Sequence, residues 1–406
     1  MARYETRSWP ADPAAPGGRA ERRAFRYRAF VPDRIATVQI ALPSSVAAAV
    51  SSAERAVDAL NRDPPRLASL EVLARRLLRS EAVASSRIEG LVLSQRRLAS
   101  AEAEETEARD ETVSSVMGNV AAMEEAVALG SGARPLRLSD VLALHRVLLL
   151  ATTTPQIAGE LRERQNWIGG NAYNPGRADF VPPPPEFVKE LMGDLVAFVN
   201  RTDLPPVVQA AVAHAQFETI HPFADGNGRV GRALIHVVLR RRGLAPRYVP
   251  LLSLVLAADA KAYVAGLTAF RDDRATDWIL LFAQALEQAA AKADELALRL
   301  ADLQERWRER AGRPRRHSSA EALIVEFPAH PIVTVATAQK FLGRSKQAVN
   351  EAIAALTNKG ILHPITLAKR NRAWEARELF ELINDVEREL ATPSDEGEPD
   401  VPVVRR

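Results

Sequence analysis

A mainly α-helical protein, broken by one short β-hairpin and followed by a smaller helix-turn-helix unit with two strands, is the fold class this sequence predicts. Three observations predict it. Apolar residues recur at helical spacing through most of the 406 residues. Between Arg162 and Pro185, two short extended pieces flank a turn rich in Gly, Asn and Pro. Ser318 to about Leu390 reads helix, brief glycine turn, helix, then two strands. An apolar content of 47% marks a globular chain, and its length allows two or three domains. The net charge of +3 is too small to imply nucleic acid by itself. With no cysteine, a disulfide framework, a thiolate nucleophile and a Cys-containing zinc site are all excluded. No apolar run reaches membrane-spanning length and no hydrophobic signal core opens the chain, so a cytoplasmic protein with no membrane partner is the default expectation.

Taken in order, Met1 to Pro32 is rich in Arg, Pro and Ala and is expected to be an arm, extended or only partly ordered, packed on its own domain. Helices follow from Ser44 and again through L-E-V-L-A-R-R-L-L-R-S-E-A-V-A-S-S-R-I-E-G, which ends at Gly90. Leu93 to Ala128 is helical and charged, and its acidic cluster is most simply a solvated face. Ser139 and Asp140 are expected to cap the next helix, whose His145 falls on an apolar face as a core or boundary residue. The hairpin is expected around Gln165–Ile168 and Ala178–Val181, and the four prolines after it impose an extended exit into a helix starting near Phe187. Two more helices, Leu204 to Thr219 and Val230 to Arg242, bracket a tight loop. A long amphipathic helix runs from Asp277 to about Arg310 and closes at Gly312 and Pro314. The expected division is 1–110, 111–312, 313–392 and a disordered tail at 393–406.

The tight loop carries the chemistry. His221 to Arg232 reads H-P-F-A-D-G-N-G-R-V-G-R. A glycine-rich turn opening a helix presents free backbone N–H groups and the positive end of the macrodipole, which together favour a phosphate. Arg229 and Arg232 lie in the first turns of that helix, aimed at the same anion. Asp225 is placed to hold a divalent cation against the phosphates, and His221 is near enough to act as a base. A D-G-N-G turn alone is ordinary. The joint occurrence of base, carboxylate, small residues and paired guanidinium groups is not.

This stretch resembles the H-x-F-x-(D/E)-G-N-G-R-x-x-R signature of the Fic (filamentation induced by cAMP) family at every defined position. The resemblance implies transfer of AMP from ATP to a protein hydroxyl, with Mg²⁺ as cofactor. His221 is then the catalytic residue. Phe223, Asp225, Gly226, Asn227, Gly228, Arg229 and Arg232 bind the nucleotide, Asp225 also holding the metal. Ser85-Ser86-Arg87-Ile88-Glu89-Gly90 is similar to the (S/T)-x-x-x-E-(G/N) motif of members with an N-terminal inhibitory helix, which implies that Ser85, Glu89 and Gly90 restrain the site through Arg232. The wording Q-N-W-I-G-G with F-V-P-P-P-P resembles the family's flap, so Ile168, Gly169 and Gly170 are expected to clamp a target segment by main-chain pairing. Tyr263 falls where relatives often place an aromatic beside the adenine, and a core tyrosine is the equal alternative.

The unit after Gly312 resembles winged-helix domains. Lys346, Gln347 and Asn350 are expected on the exposed face of its second helix and Arg370 and Arg372 in its wing, suited to base edges and phosphates respectively. Protein contacts are the alternative use of such a unit. The expected partners are therefore ATP, a hydroxyl-bearing protein that includes this chain, and DNA, with a homodimer left open. Two competing functions stand beside AMP transfer: removal of AMP at the same site, and DNA-binding regulation with the nucleotide site as sensor.

Overall fold

In a computed structural model of the chain, which describes residues 2–16, 18, 21–62, 69–104, 110–367 and 371–391, helices occupy the places that the apolar spacing marks. Two strands come first, β1 (Arg3–Trp9) and β2 (Phe25–Val31). Then follow α1 (Ser44–Arg62), α2 (Leu70–Ile88), α3 (Gln95–Glu104), α4 (Glu111–Gly130), α5 (Leu138–Leu149), α6 (Pro185–Val199), α7 (Pro206–Ile220) and α8 (Asn227–Arg241). The helical part closes with α9 (Leu252–Ala258), α10 (Ala260–Arg271) and the long α11 (Ala275–Arg310). The last unit comprises α12 (Ser319–Glu326), β3 (Ile332–Val333), α13 (Val335–Leu342), α14 (Lys346–Asn358), β4 (His363–Leu367), β5 (Asn371–Glu375) and α15 (Arg377–Ala391).

The core is built around α7. Every residue from Val207 to Ile220 is buried, so this helix is apolar all round rather than on one stripe. α8 packs against it and is buried from Asn227 to Leu239. α11 runs along α1 and α7, and Trp278 donates its indole N–H to the Ala211 carbonyl at 2.8 Å. Helix starts follow side-chain capping: Ser69 accepts from Val72 N, Asp110 from Val113 N and Ser345 from Ala348 N, each relieving an orphan donor. At α5 the N-cap is Arg137, and Asp140 sits at the third helical position, where it accepts the Arg137 N–H at 2.8 Å. The expected Ser139-Asp140 cap is corrected accordingly.

Three further differences matter. The N-terminal arm is a two-stranded antiparallel ribbon, registered from Arg3 opposite Val31 to Trp9 opposite Phe25. It packs on the chain by Phe30 N donating to Val181 O and by Trp9 meeting Trp167 edge-on. The expected hairpin at 165–181 shortens to one bridge, Ile168 to Phe180, because Gly169 and Gly170 turn the chain in the left-handed region just after it. Finally, α15 is an addition to the expected elements.

The last unit forms a three-stranded sheet in the order β3-β5-β4 beside α12, α13 and α14, with Gly343 in the left-handed region between α13 and α14. α11 carries it: Trp307, fully buried near the end of that helix, packs edge-on against Phe327. Arg370, the tail at 393–406 and the middle of the acidic cluster at 105–109 lie outside the described residues. Among the described residues no single helix is long and apolar enough to cross a membrane.

Candidate active site

The loop between α7 and α8 is held from two sides. α7 ends at His221, whose φ of 49° and ψ of 61° are left-handed, an uncommon conformation for a residue with a side chain. From the flap side, Arg162 Nε donates to His221 O at 2.8 Å, and Asn166 Nδ2 donates to His221 O and to Phe223 O. From beneath, the Phe223 ring stacks on His145 with centroids 3.8 Å apart. His145 Nδ1 accepts the Gly159 N–H, so its proton is on Nε2, which donates to Asp225 O at 3.0 Å. Asn227 closes the loop on itself, accepting from Phe223 N and donating to Phe223 O. Burial pushes the His145 pKa down to about 4, so this ring is neutral and serves as a fixed strut.

One expectation is corrected by these contacts and another is qualified. Phe223 is fully buried and anchors the loop rather than touching a nucleotide. The Asn227 side-chain amide accepts from and donates to Phe223, so its first task is to shape the cradle, and one Nδ2 hydrogen is left over.

What remains open is an anion site at the start of α8. Gly226 takes a φ of 77° as the N-cap, where a Cβ would press on Leu148. The Arg229 side chain is only 5% exposed, yet its Nε and Nη1 have no hydrogen-bond partner. Its nearest carboxylate, Asp225, lies 3.6 Å away and is 61% exposed. A buried guanidinium short of partners beside a helix N-terminus suits a phosphate. Among the described residues no group of three or more His, Asp or Glu side chains is arranged to hold a metal. Asp225 alone, free toward solvent, fits a cation that takes its other ligands from phosphate and water, as Mg²⁺ does.

Arg232 is not free. Its Nε donates to Ser85 Oγ at 2.9 Å, and its Nη2 donates to Ser85 O and to Glu89 Oε1, both at 2.8 Å. The Glu89 carboxylate thus reaches from the end of α2 into the cradle; a Cβ on Gly228 would collide with its Oε1. Burial works to raise the Glu89 pKa, but the charge and hydrogen bond of Arg232 outweigh it and the net shift is downward. Gly90, with a φ of 79°, ends the segment. α2 is itself fixed by buried Glu81, which accepts from Ser253 N and Oγ and meets His236 Nε2 at 3.1 Å.

The His221 side chain is 19% exposed. Burial first, and then the charge of Arg162, push its pKa down to about 4. Glu218, one turn earlier, places Oε2 3.9 Å from His221 Nδ1, and burial pushes its pKa up to about 7. Ile168, Gly169 and Gly170 are exposed on the flap, and the two glycines border a cleft of ≈ 830 Å³ that Arg162, Asn166, Trp167 and Ala224 also line. Tyr263 is 4% exposed and its hydroxyl is 2.8 Å from His214 Nε2, which makes it the core tyrosine and removes it from an adenine face. Lys346, Gln347 and Asn350 are exposed on α14, and Arg372 is exposed with its guanidinium 4.9 Å from the Trp374 ring centre. The sequence reading left out Arg162, Asn166 and Glu218, and it gave His145 no part in the loop. A basic residue followed four positions later by Asn, just ahead of W-I-G-G, was the available signal.

Comparison with known proteins agrees with this geometry. The Fic/DOC family model matches residues 135–239, and the Fic/DOC family N-terminal model matches 47–128. Protein adenylyltransferase fic-1 of Caenorhabditis briggsae is 33% identical over 118 residues, 28% of this chain and 21% of that protein. Protein adenylyltransferase Fic of Drosophila virilis is 37% identical over 118 residues, 28% of this chain and 22% of that protein. The chain thus spans about a fifth of the length of the curated relatives it matches. A Fic family protein from Desulfovibrio desulfuricans G20 superposes with a TM-score of 0.52 at 19% identity, over 83% of this chain and 97% of that one, a likeness of fold.

Proposed function

We propose, from the premise that residues 47–128 and 135–239 belong to the Fic/DOC family, that this chain is a protein adenylyltransferase. It moves AMP from ATP onto a Ser, Thr or Tyr hydroxyl of a protein, itself included, under the restraint of Glu89. The observation that carries this reading is Arg229, a buried guanidinium with two unpartnered nitrogens at the mouth of the α8 N-terminus. A cytoplasmic setting, where ATP is available, fits it.

The triphosphate lies over the backbone of Gly226 to Gly228, with Arg229 taking one phosphate oxygen. Asp225 would hold Mg²⁺, which when bound would supply positive charge against the phosphates. His221 is neutral at pH 7, because its pKa lies near 4, and so its ring accepts a proton. The target hydroxyl, laid along Ile168 to Gly170, loses that proton to His221 as its oxygen bonds to the α-phosphorus. The bond to the β-phosphate oxygen breaks, and pyrophosphate leaves with the electron pair. A weak base suffices where the transition state is loose and positioning dominates. Glu89 opposes this by occupying Arg232 and the space over Gly228, which denies the γ-phosphate its second guanidinium.

Mass spectrometry of the purified chain after incubation with Mg-ATP tests the chemistry, the expected result being a covalent AMP. His221→Ala should abolish incorporation from α-labelled ATP while leaving ATP affinity within about twofold; undiminished labelling overturns the role of the imidazole. Glu89→Gly should raise self-labelling by about tenfold or more, since it removes a charge-assisted contact of ~1.5–3 kcal/mol. Equal labelling by both forms removes the inhibitory claim.

The last unit supports a second activity. We read α12 to β5 as a winged helix, with exposed Lys346, Gln347 and Asn350 presented to DNA bases and Arg372 to phosphate. Binding to duplex DNA that weakens steeply with salt is the expected result. Binding indifferent to salt, or absent in low salt, refutes it.

A further inference from the structure

Arg162 is 6% exposed and makes no ion pair among the described residues. A buried cation without a carboxylate must be satisfied by dipoles, and this one is. Its Nε donates to His221 O at 2.8 Å, its Nη1 to Arg164 O at 3.1 Å, and its Nη2 to Pro183 O at 2.5 Å and Ile220 O at 3.4 Å. Its own N–H donates to Pro222 O at 2.9 Å. Two of the four side-chain acceptors are the last carbonyls of α7, the negative end of a helix dipole. The other two belong to the two arms of the flap.

We infer that Arg162 is a positioning residue for the reaction: its guanidinium fork fixes the carbonyl end of α7, and with it the His221 imidazole, to both arms of the flap. This rests on the adenylyltransferase reading. The fork explains how His221 persists in the left-handed region, a conformation that needs its surroundings to hold it. It also makes the flap and the base one body, so that a hydroxyl seated along the flap meets the ring at a set distance. Lysine cannot replace it, because an ammonium is a point charge that cannot span four acceptors in one plane. The charge acts on His221 as well. The groups around that ring are Arg162 from the flap, Glu218 from α7, Glu89 from α2 and Arg271 from α10. Arg162 and Arg271 favour the neutral ring, and Glu89 opposes them.

The test uses the full chain with Glu89→Gly, in which self-labelling is measured against pH and ATP concentration. Arg162→Lys keeps the charge and loses the fork. Its kcat should fall by about a hundredfold, the cost of a displaced catalytic group, with KM for ATP within about twofold and the acid limb of the profile unmoved. Arg162→Met loses both, so its acid limb should also move to higher pH. NMR titration of the His221 ring should follow the same split: unchanged in the lysine variant, raised in the methionine variant. Full kcat in the lysine variant overturns the inference, as does a loss carried by KM alone. If the methionine variant does not fold, the lysine variant decides. If the parent transfers no AMP, the adenylyltransferase reading fails, and the ring titration alone decides whether Arg162 governs His221.

Discussion

Among single residues, the sharpest contrast is between Arg229 and Arg232. Both are buried on the same turn of α8, yet one has idle nitrogens and the other is engaged by Ser85 and Glu89. Their types and spacing are legible in the sequence, as is the glutamate that engages the second. What is not legible is which polar groups are consumed by the loop itself. Asn227 and Phe223 sit inside the signature, but their contacts run inward, and only three-dimensional packing reveals that. Tyr263 gives a direct check. Tyr263→Phe should cost about 1 kcal/mol of stability, the worth of one buried hydrogen bond to His214. ATP affinity should not change, and a calorimetric loss of ATP binding would return this residue to the nucleotide.

At the level of elements, helices were the easy part. Their periodicity, caps and glycine stops locate α1, α2, α7, α8 and α11 to within a few residues. The ribbon β1–β2 was harder, because the partly buried face of β1 is Glu5, Arg7 and Trp9, which shows no apolar alternation. β2 did carry the signal: Phe25, Tyr27 and Ala29 point one way while Arg26 and Arg28 point to solvent. This ribbon braces the flap through Trp9 on Trp167 and Arg7 on Glu186 at 2.5 Å. Trp9→Ala removes an aromatic contact worth ~0.5–1.5 kcal/mol. It should therefore lower the labelling rate by about threefold to tenfold with ATP affinity unchanged, as read by parallel labelling and ATP-binding assays.

For the molecule as a whole, the end of α2 is tied to the far end of the chain. Glu387 on α15 accepts from Arg87 Nη2 at 2.7 Å and from Gln95 Nε2 at 3.1 Å, two residues that flank Glu89. Glu387→Ala should loosen that end and raise self-labelling, an effect that vanishes in a Glu89→Gly background. Acid stability is a second global property. His145 and His214 are fully buried, with pKa values pushed down by burial to about 4 and about 3, against 6.5 when unfolded. The unfolded chain therefore takes up protons at these two sites first, so their contribution to stability is flat above pH 6.5 and falls as pH drops toward 4, while Glu218, raised to about 7, acts in the opposite sense between pH 4.5 and 7. Each ring contributes about 3 kcal/mol to that loss. In a Glu218→Gln variant, which removes the opposing carboxylate, urea midpoints at pH 7 and pH 4.5 should differ accordingly, and equal midpoints would contradict the buried, neutral rings.

Gly228 has an implication for how restraint could ever be lost. The bare α-carbon admits the carboxylate tip of Glu89, so any larger side chain there would evict it, and on the proposed function it would evict the phosphate as well. Hyperactive alleles recovered from a genetic selection should therefore fall at 85–90 and at Glu387, which braces that segment, and be missing from 226–232.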